Sequence, residues 1–107
     1  MTALDWDKAF AMEQAADDAE LLEELLEIFK DSFKTDVGLI EQGINEKDAL
    51  KISAAAHSIK GAAASLGIQG INDVALGIEM DSRSGGLDVA AEKLPHLQEL
   101  MAELLAM

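Results

Sequence analysis

Cysteine is absent from the 107 residues. That excludes a disulfide framework and a cysteine-based zinc site, and it fits a reducing cytoplasm. Proline occurs once, at Pro95, so long stretches carry no helix breaker. Aromatic residues make up only 4%, and no Asn-Gly or Asp-Gly pair is present. With no sustained period-2 alternation either, strand signals are weak. Basic residues are scarce: 8 Lys and Arg stand against 21 Asp and Glu, a net charge of −13. Nucleic acid and anionic membrane both need a positive footprint, so neither is an expected partner. A protein partner is compatible with this charge. No run of 18 apolar residues occurs, so no membrane span is expected. The opening Met1-Thr2-Ala3-Leu4-Asp5-Trp6-Asp7 has neither a basic nor an apolar signal region, so no signal peptide is expected and the expected location is cytoplasmic.

What is present is half hydrophobic, which separates the chain from a disordered acidic tail. Its length suits one domain, residues 1–107, with a modest core. Helical periodicity dominates. Asp5 to about Gln14 reads as a short amphipathic helix, with Asp5 as a possible cap and Trp6, Ala9, Phe10 and Met12 as apolar residues. Glu20 to Ile44 is the longest periodic stretch, with Leu22, Leu25, Leu26, Phe29, Phe33, Ile40 and Ile44 on one face. A narrower stripe runs through Leu21, Ile28 and Leu39. Gly38 and Gly43 weaken its end, and Asn45-Glu46 reads as the turn. Lys47 to Leu66 forms the next helix, stopped by Gly67. A further helix runs from Ile71 to about Ser82, with Ile71, Val74, Ala75, Ile78 and Met80 as its apolar residues. Ser84-Gly85-Gly86 is a loop. Leu87 to Met107 is the last helix, with Leu94, Leu97, Leu100, Met101, Leu104 and Leu105 as its stripe. Pro95 predicts a kink there or a true start near Glu92 to Pro95. The sum is an all-α fold, an antiparallel four-helix bundle with a short additional N-terminal helix.

The helix from Lys47 to Leu66 is the one that carries chemistry. At 100° per residue, Ile52, Ala55, Ala56, Ile59, Ala62, Ala63 and Leu66 gather on the core side. His57, Lys60, Gly61, Ser53 and Ala64 gather on the opposite side, with Leu50. Imidazole can act as a nucleophile near neutral pH. Lysine is a compact charge suited to phosphate. Glycine inside a helix costs about 1 kcal/mol relative to alanine, so Gly61 calls for a reason. Access to His57 is one reason, and close packing of another helix is the other. Ser53, Ala54, Gly61 and Ala64 are all small, which leaves a shallow landing area for another protein. His96 has no suggestive neighbours and reads as an ordinary residue.

The run His57-Ser58-Ile59-Lys60-Gly61-Ala62-Ala63-Ala64-Ser65-Leu66-Gly67 closely resembles the signature of histidine-containing phosphotransfer (HPt) domains. That signature is a histidine, two residues, Lys-Gly, small residues, then an aliphatic-Gly pair. Ile71, Ala75 and Ile78-Glu79 look like the pattern that follows it in the family. The acidic-leucine run Glu20-Leu21-Leu22-Glu23-Glu24-Leu25-Leu26-Glu27-Ile28-Phe29 is similar to the helix that pairs with the site helix.

The resemblance implies a phosphorelay carrier. His57 would accept a phosphoryl group through Nε2 from a receiver-domain aspartate and pass it to another receiver. Lys60 would offset phosphoryl charge, and Gly61 would remove a clash. Glu79 and Arg83, one turn apart, are candidate supporting groups near the histidine, or a plain surface ion pair. Leu21, Ile28, Leu39 and Leu50, with Ala54 and Ala64, are docking candidates; the first three could equally pack under the short first helix. The implied partners are response-regulator receivers and a hybrid sensor histidine kinase, with the chain a monomer. Whether it stands alone or belongs to a larger kinase is open.

No P-loop, glycine-rich nucleotide loop or DFG-like set is found, so no ATP site is expected and phosphate must arrive from a partner. No cofactor or metal is expected on this chain, and Mg²⁺ is expected on the partner receiver. Two competing readings remain. One is a bundle that binds receivers without accepting phosphate, against which the intact His57 and Lys60 argue. The other is a metal-binding bundle, disfavoured by only two histidines and no Glu-x-x-His motif.

Overall fold

Three aspartates start three of the helices. The Asp7 carboxylate accepts from Phe10 N–H at the head of α1 (Lys8–Gln14), and Asp18 accepts from Glu20 and Leu21 N–H at the head of α2 (Ala19–Glu46). Asp48 accepts from Lys51 N–H at the head of α3 (Ala49–Ser65). Each satisfies donors that the first helical turn leaves without partners. The computed structural model describes residues 4–106, and α4 (Gln69–Arg83) and α5 (Asp88–Leu105) complete it. The opening Met1-Thr2-Ala3 and the final Met107 of the expected last helix lie outside the described residues. Helices α2 to α5 form an antiparallel bundle in which each packs on its chain neighbour and α5 closes back on α2. The bundle measures 42 × 22 × 19 Å. No helix among the described residues is long and apolar enough to cross a membrane.

The core follows the expected stripes. Leu22, Phe29, Phe33 and Ile40 of α2 meet Ile52, Ala56, Ile59 and Ala63 of α3. Ile71, Ala75 and Ile78 of α4 and Leu97, Leu100 and Leu104 of α5 complete it. Phe29 and Phe33 stack with centroids 5.4 Å apart. Two expected core residues lie outside it: Met80 and Leu105 are exposed.

Boundaries differ where long-range contacts decide them. The first helix begins at Lys8, not Asp5, because residues 4–7 form a strap across the α3–α4 junction. Asp7 N–H donates to Gly67 O at 2.8 Å, Gly70 N–H to Leu4 O at 2.8 Å, and the Trp6 indole to Leu66 O at 2.9 Å. Trp6 is therefore not helical. Of the short helix only Ala11 is buried, while Ala9 and Phe10 face out. Gly67 holds φ +70°, a conformation glycine adopts at no steric cost, and ends α3 as expected. The strap thus fixes the end of the helix that carries His57.

The expected turn at Asn45-Glu46 is helical, and Lys47 is not a helix start. It caps α2 in the left-handed region at φ 56°. Helix α5 runs continuously through Pro95 from Asp88, so a start near Glu92 to Pro95 is not observed.

Gly43 does not end α2; it lets α3 approach. A Cβ there would stand 2.6 Å from Ile52 Cγ1 and 3.1 Å from Asp48 O. Gly43→Ala is therefore expected to destabilise the bundle by about 1–2 kcal/mol, overpacking outweighing the helix-propensity gain. A melting temperature equal to or above the wild type would contradict this.

Candidate functional site

Helix α3 turns His57 outward, with the side chain 66% exposed. Helix α4 runs antiparallel beside it and aims Glu79 back at the ring. Glu79 is nearly solvent-free, its side chain 2% exposed, yet every approach to its carboxylate is by a donor. His57 Nδ1 lies 2.5 Å from Oε2, Lys60 Nζ 2.7 Å from Oε1, and an Arg83 guanidinium nitrogen 3.2 Å from Oε2. The surface-ion-pair reading of Glu79 and Arg83 is thereby overturned: one member is buried and bridges two helices.

The electrostatics fix the histidine tautomer. The Lys60 ammonium, with smaller help from His57 and Arg83, holds the Glu79 carboxyl below the usual carboxylate range, although burial pushes it up. An ionised carboxylate only accepts hydrogen bonds, so Nδ1 carries the hydrogen and donates it. In the neutral ring the lone pair then sits on Nε2. A carboxylate behind an imidazole is the usual device for setting both orientation and basicity. Lys60 and Arg83, two of only 8 basic residues in the chain, both bond the carboxylate that meets the ring. Their placement makes this a local anion-tolerant spot on a strongly acidic molecule.

Gly61 sits one turn beyond His57, and a Cβ built on it meets no atom within 4 Å. No helix packs there, so the close-packing explanation fails for Gly61, whereas it holds for Gly43. Gly61→Ala is expected to raise stability by up to about 1 kcal/mol. Gly61→Gln is expected to keep the fold while slowing phosphoryl transfer at least tenfold. Thermal melts and single-turnover assays on both variants check this, and full transfer by Gly61→Gln would remove the access role.

The docking candidates divide. Leu21, Ile28, Leu50, Ala54 and Ala64 are exposed, Leu50 by 79%. Leu39 is half-buried, packed against the core. Sequence reasoning missed two features. Burial pushes the carboxyl of Asp36 on α2 up, and the hydroxyl of Ser58, the residue after His57, draws it back down. Leu76 and Met80 of α4 are exposed one turn before Glu79 and beside it. Among the described residues no group of three or more His, Asp or Glu is arranged to hold a metal ion.

Residues 24–107 match the family described as Hpt domain. The chain belongs to the Hpt domain family. Its structure is similar to the crystal structure of the HPT domain from an Hpt sensor hybrid histidine kinase of Shewanella. The TM-score is 0.78 at 17% identity, over 98% of this chain and 94% of that one. At that identity the likeness speaks for the fold. No curated protein matches the chain. Membership makes the chain a phosphotransfer module of two-component phosphorelays, a carrier of phosphoryl groups and not a catalyst that turns over a substrate.

Proposed function

We propose that this Hpt domain is a relay intermediate that accepts a phosphoryl group on His57 from one receiver domain and delivers it to another. The observation that carries the reading is the outward imidazole with Nδ1 tied to buried, ionised Glu79, which leaves Nε2 free toward solvent. In the transfer, the Nε2 lone pair attacks phosphorus in line with the receiver's aspartyl C–O–P bridge. The N–P bond forms as the P–O bond to the acyl oxygen breaks, and its electron pair leaves on the aspartate. The ring becomes cationic as the bond forms, and the Nδ1–H held by Glu79 places a negative charge behind it. Lys60 stands one turn along α3 where phosphoryl oxygens would lie, and the open side at Gly61 admits the incoming group.

The donor is a phosphorylated receiver, including one carried by a hybrid sensor kinase, and the acceptor is a second receiver. Mg²⁺ belongs to the receiver's own aspartyl site, and the chain needs no ATP site of its own. Leu21, Ile28, Leu50, Ala54 and Ala64, all exposed, serve as docking residues for the receiver, and the carrier acts as a monomer. Incubation with labelled, phosphorylated receivers tests the reading. Acid-labile, base-stable label is expected on the chain, followed by its loss to a second receiver. Stable binding of receivers with no label on the chain would favour a module that only docks them.

Lys60 tests the chemistry separately from the fold. Its side chain is 28% exposed, so it reaches water while bonded to Glu79. Lys60→Ala is expected to fold normally and to slow transfer about 10- to 10³-fold, on the order of 1–4 kcal/mol in the barrier. An unchanged single-turnover rate would assign Lys60 to pairing Glu79 alone.

A further inference from the structure

The carboxylate behind the ring also bears on how the phosphoryl group leaves. Glu79 Oε2 stands 2.5 Å from His57 Nδ1, and the Glu79 side chain is only 2% exposed, so no water layer separates the two. Lys60 Nζ lies 2.7 Å from Oε1, and that bond is the chief reason the carboxyl stays ionised. An ionised carboxylate can only accept hydrogen bonds. A ring that lost its Nδ1 proton would therefore set a nitrogen lone pair against an oxygen lone pair at hydrogen-bond distance, with no donor between them. The charged groups around the ring are Lys60 from its own helix, Glu79 and Arg83 from α4, and Asp36 from α2, beside Ser58. Among the described residues only Glu79 bonds a ring nitrogen.

We propose that Glu79 keeps the phosphorylated imidazole protonated on Nδ1 from acid to mildly alkaline pH, which makes this chain a transit point that yields its phosphoryl group readily and not a reservoir that stores it. The inference rests on His57 being the carrier through Nε2, and it adds the fate of the group once it has arrived. With Nε2 phosphorylated, Nδ1 is the one ring nitrogen left to hold a proton. If it holds one, the ring is a cation and departs as neutral imidazole. An oxygen of the acceptor's carboxylate bonds phosphorus, the N–P bond breaks, and its electron pair returns to Nε2 while the proton stays on Nδ1. If Nδ1 is bare, the same step has to expel an imidazolate anion, a far poorer leaving group. Water follows the same course, with inorganic phosphate taking the water's oxygen and protons. The Glu79 charge favours the cation in a nearly water-free setting, where charge attraction is stronger than in bulk water. The phosphoryl group itself brings negative charge that draws the Lys60 ammonium, which leaves more of the Glu79 charge to the ring.

Hydrolysis tests this without a receiver. Wild type and Glu79→Gln, which keeps the size of the side chain and removes its charge, are labelled with phosphoramidate at neutral pH and freed of the donor. Loss of the phosphohistidine ³¹P signal is then followed from about pH 6 to about pH 10, across the range where an imidazole titrates. The wild-type rate is expected to hold level well past neutrality. The Glu79→Gln rate is expected to fall off about one pH unit earlier or more, the smallest shift typical of an adjacent opposite charge. On the alkaline side the variant is then expected to keep its phosphate about tenfold longer, since one pH unit is a factor of ten in protonated ring. Ring ¹⁵N shifts of the phosphorylated chains are expected to show Nδ1–H through about pH 8 in the wild type and its loss at lower pH in the variant. A purely structural role for Glu79 would move neither readout.

A level wild-type profile with an earlier fall-off in Glu79→Gln supports the proposal. Coincident profiles overturn it and leave the carrier reading standing. So does a phosphorylated wild-type ring that gives up its Nδ1 proton near about pH 6.5, where an unassisted imidazole does. That ¹⁵N titration of the wild type decides on its own should the variant fail to fold. Failure of both phosphoramidate and every receiver to label His57 removes the carrier reading, and this inference with it.

Discussion

The His57→Gln chain is expected to melt like the wild type and to accept no phosphoryl group from any receiver. The two halves of that expectation have separate causes. The fold does not lean on His57: its side chain faces solvent, and its one recorded polar contact is with Glu79. Lys60 and Arg83 remain to neutralise that carboxylate when the ring is gone, so a stability change within about 1 kcal/mol is expected. The chemistry depends on it wholly, because an amide nitrogen has no lone pair available for attack on phosphorus and glutamine supplies no other nucleophile. The other histidine, His96, lies on α5 against Glu99 at 3.8 Å, with no buried carboxylate behind it. Acid-labile, base-stable phosphate on the His57→Gln chain would move the acceptor to His96 and overturn the assignment. A large drop in melting temperature would show instead that the ring helps to hold α3 and α4 together.

The direction His57 faces was legible in the sequence, because a helical wheel is local arithmetic and α3 has a clear aliphatic side. The bundle was legible for the same reason. What holds the ring was not. Glu79 lies 22 residues away and reads on its own helix like any exposed acid beside an arginine; only the antiparallel packing of α3 on α4 buries it. Gly43 and Gly61 look alike as letters in helical patterns. Ile52 stands against one and nothing stands against the other, and only that contact separates a crossing point from an access point. Trp6 has helical spacing with Phe10, yet hydrogen bonds to Leu66 and Gly67, some 60 residues on, draw its segment into a strap. The junction near Lys47 was displaced because Gly43 read as a breaker, while the left-handed turn falls on a lysine that gives no local sign of it.

Replacing Glu79 is expected to slow transfer strongly although it spares His57. Glu79→Ala frees Nδ1, and the ring is then expected to favour hydrogen on Nε2, which leaves the lone pair on Nδ1, the wrong nitrogen for attack. A loss of about 10²- to 10³-fold in single-turnover rate is expected, comparable with losing a positioning carboxylate behind a catalytic imidazole. Stability is expected to fall by only about 1–2 kcal/mol. Breaking a buried ion pair costs more when the surviving charge stays buried, but here His57 and Arg83 are mostly exposed and Lys60 reaches water. The pH dependence has a definite sign. The native carboxyl titrates below its ordinary value of 4.5, chiefly because Lys60 bonds it. Its contribution is therefore present in full well above pH 4.5 and fades as pH falls through the native value. The stability gap between wild type and Glu79→Ala is expected to be largest near neutrality and to close in acid. Glu79→Gln keeps an acceptor for Nδ1 while losing the charge, so its rate is expected to lie between the two. Ring ¹⁵N shifts give the readout that a merely structural role would not move: Nδ1–H in the wild type and in Glu79→Gln, mixed or Nε2–H in Glu79→Ala. A Glu79→Ala chain that keeps the Nδ1–H tautomer and transfers at the wild-type rate would reduce Glu79 to a tie between α3 and α4.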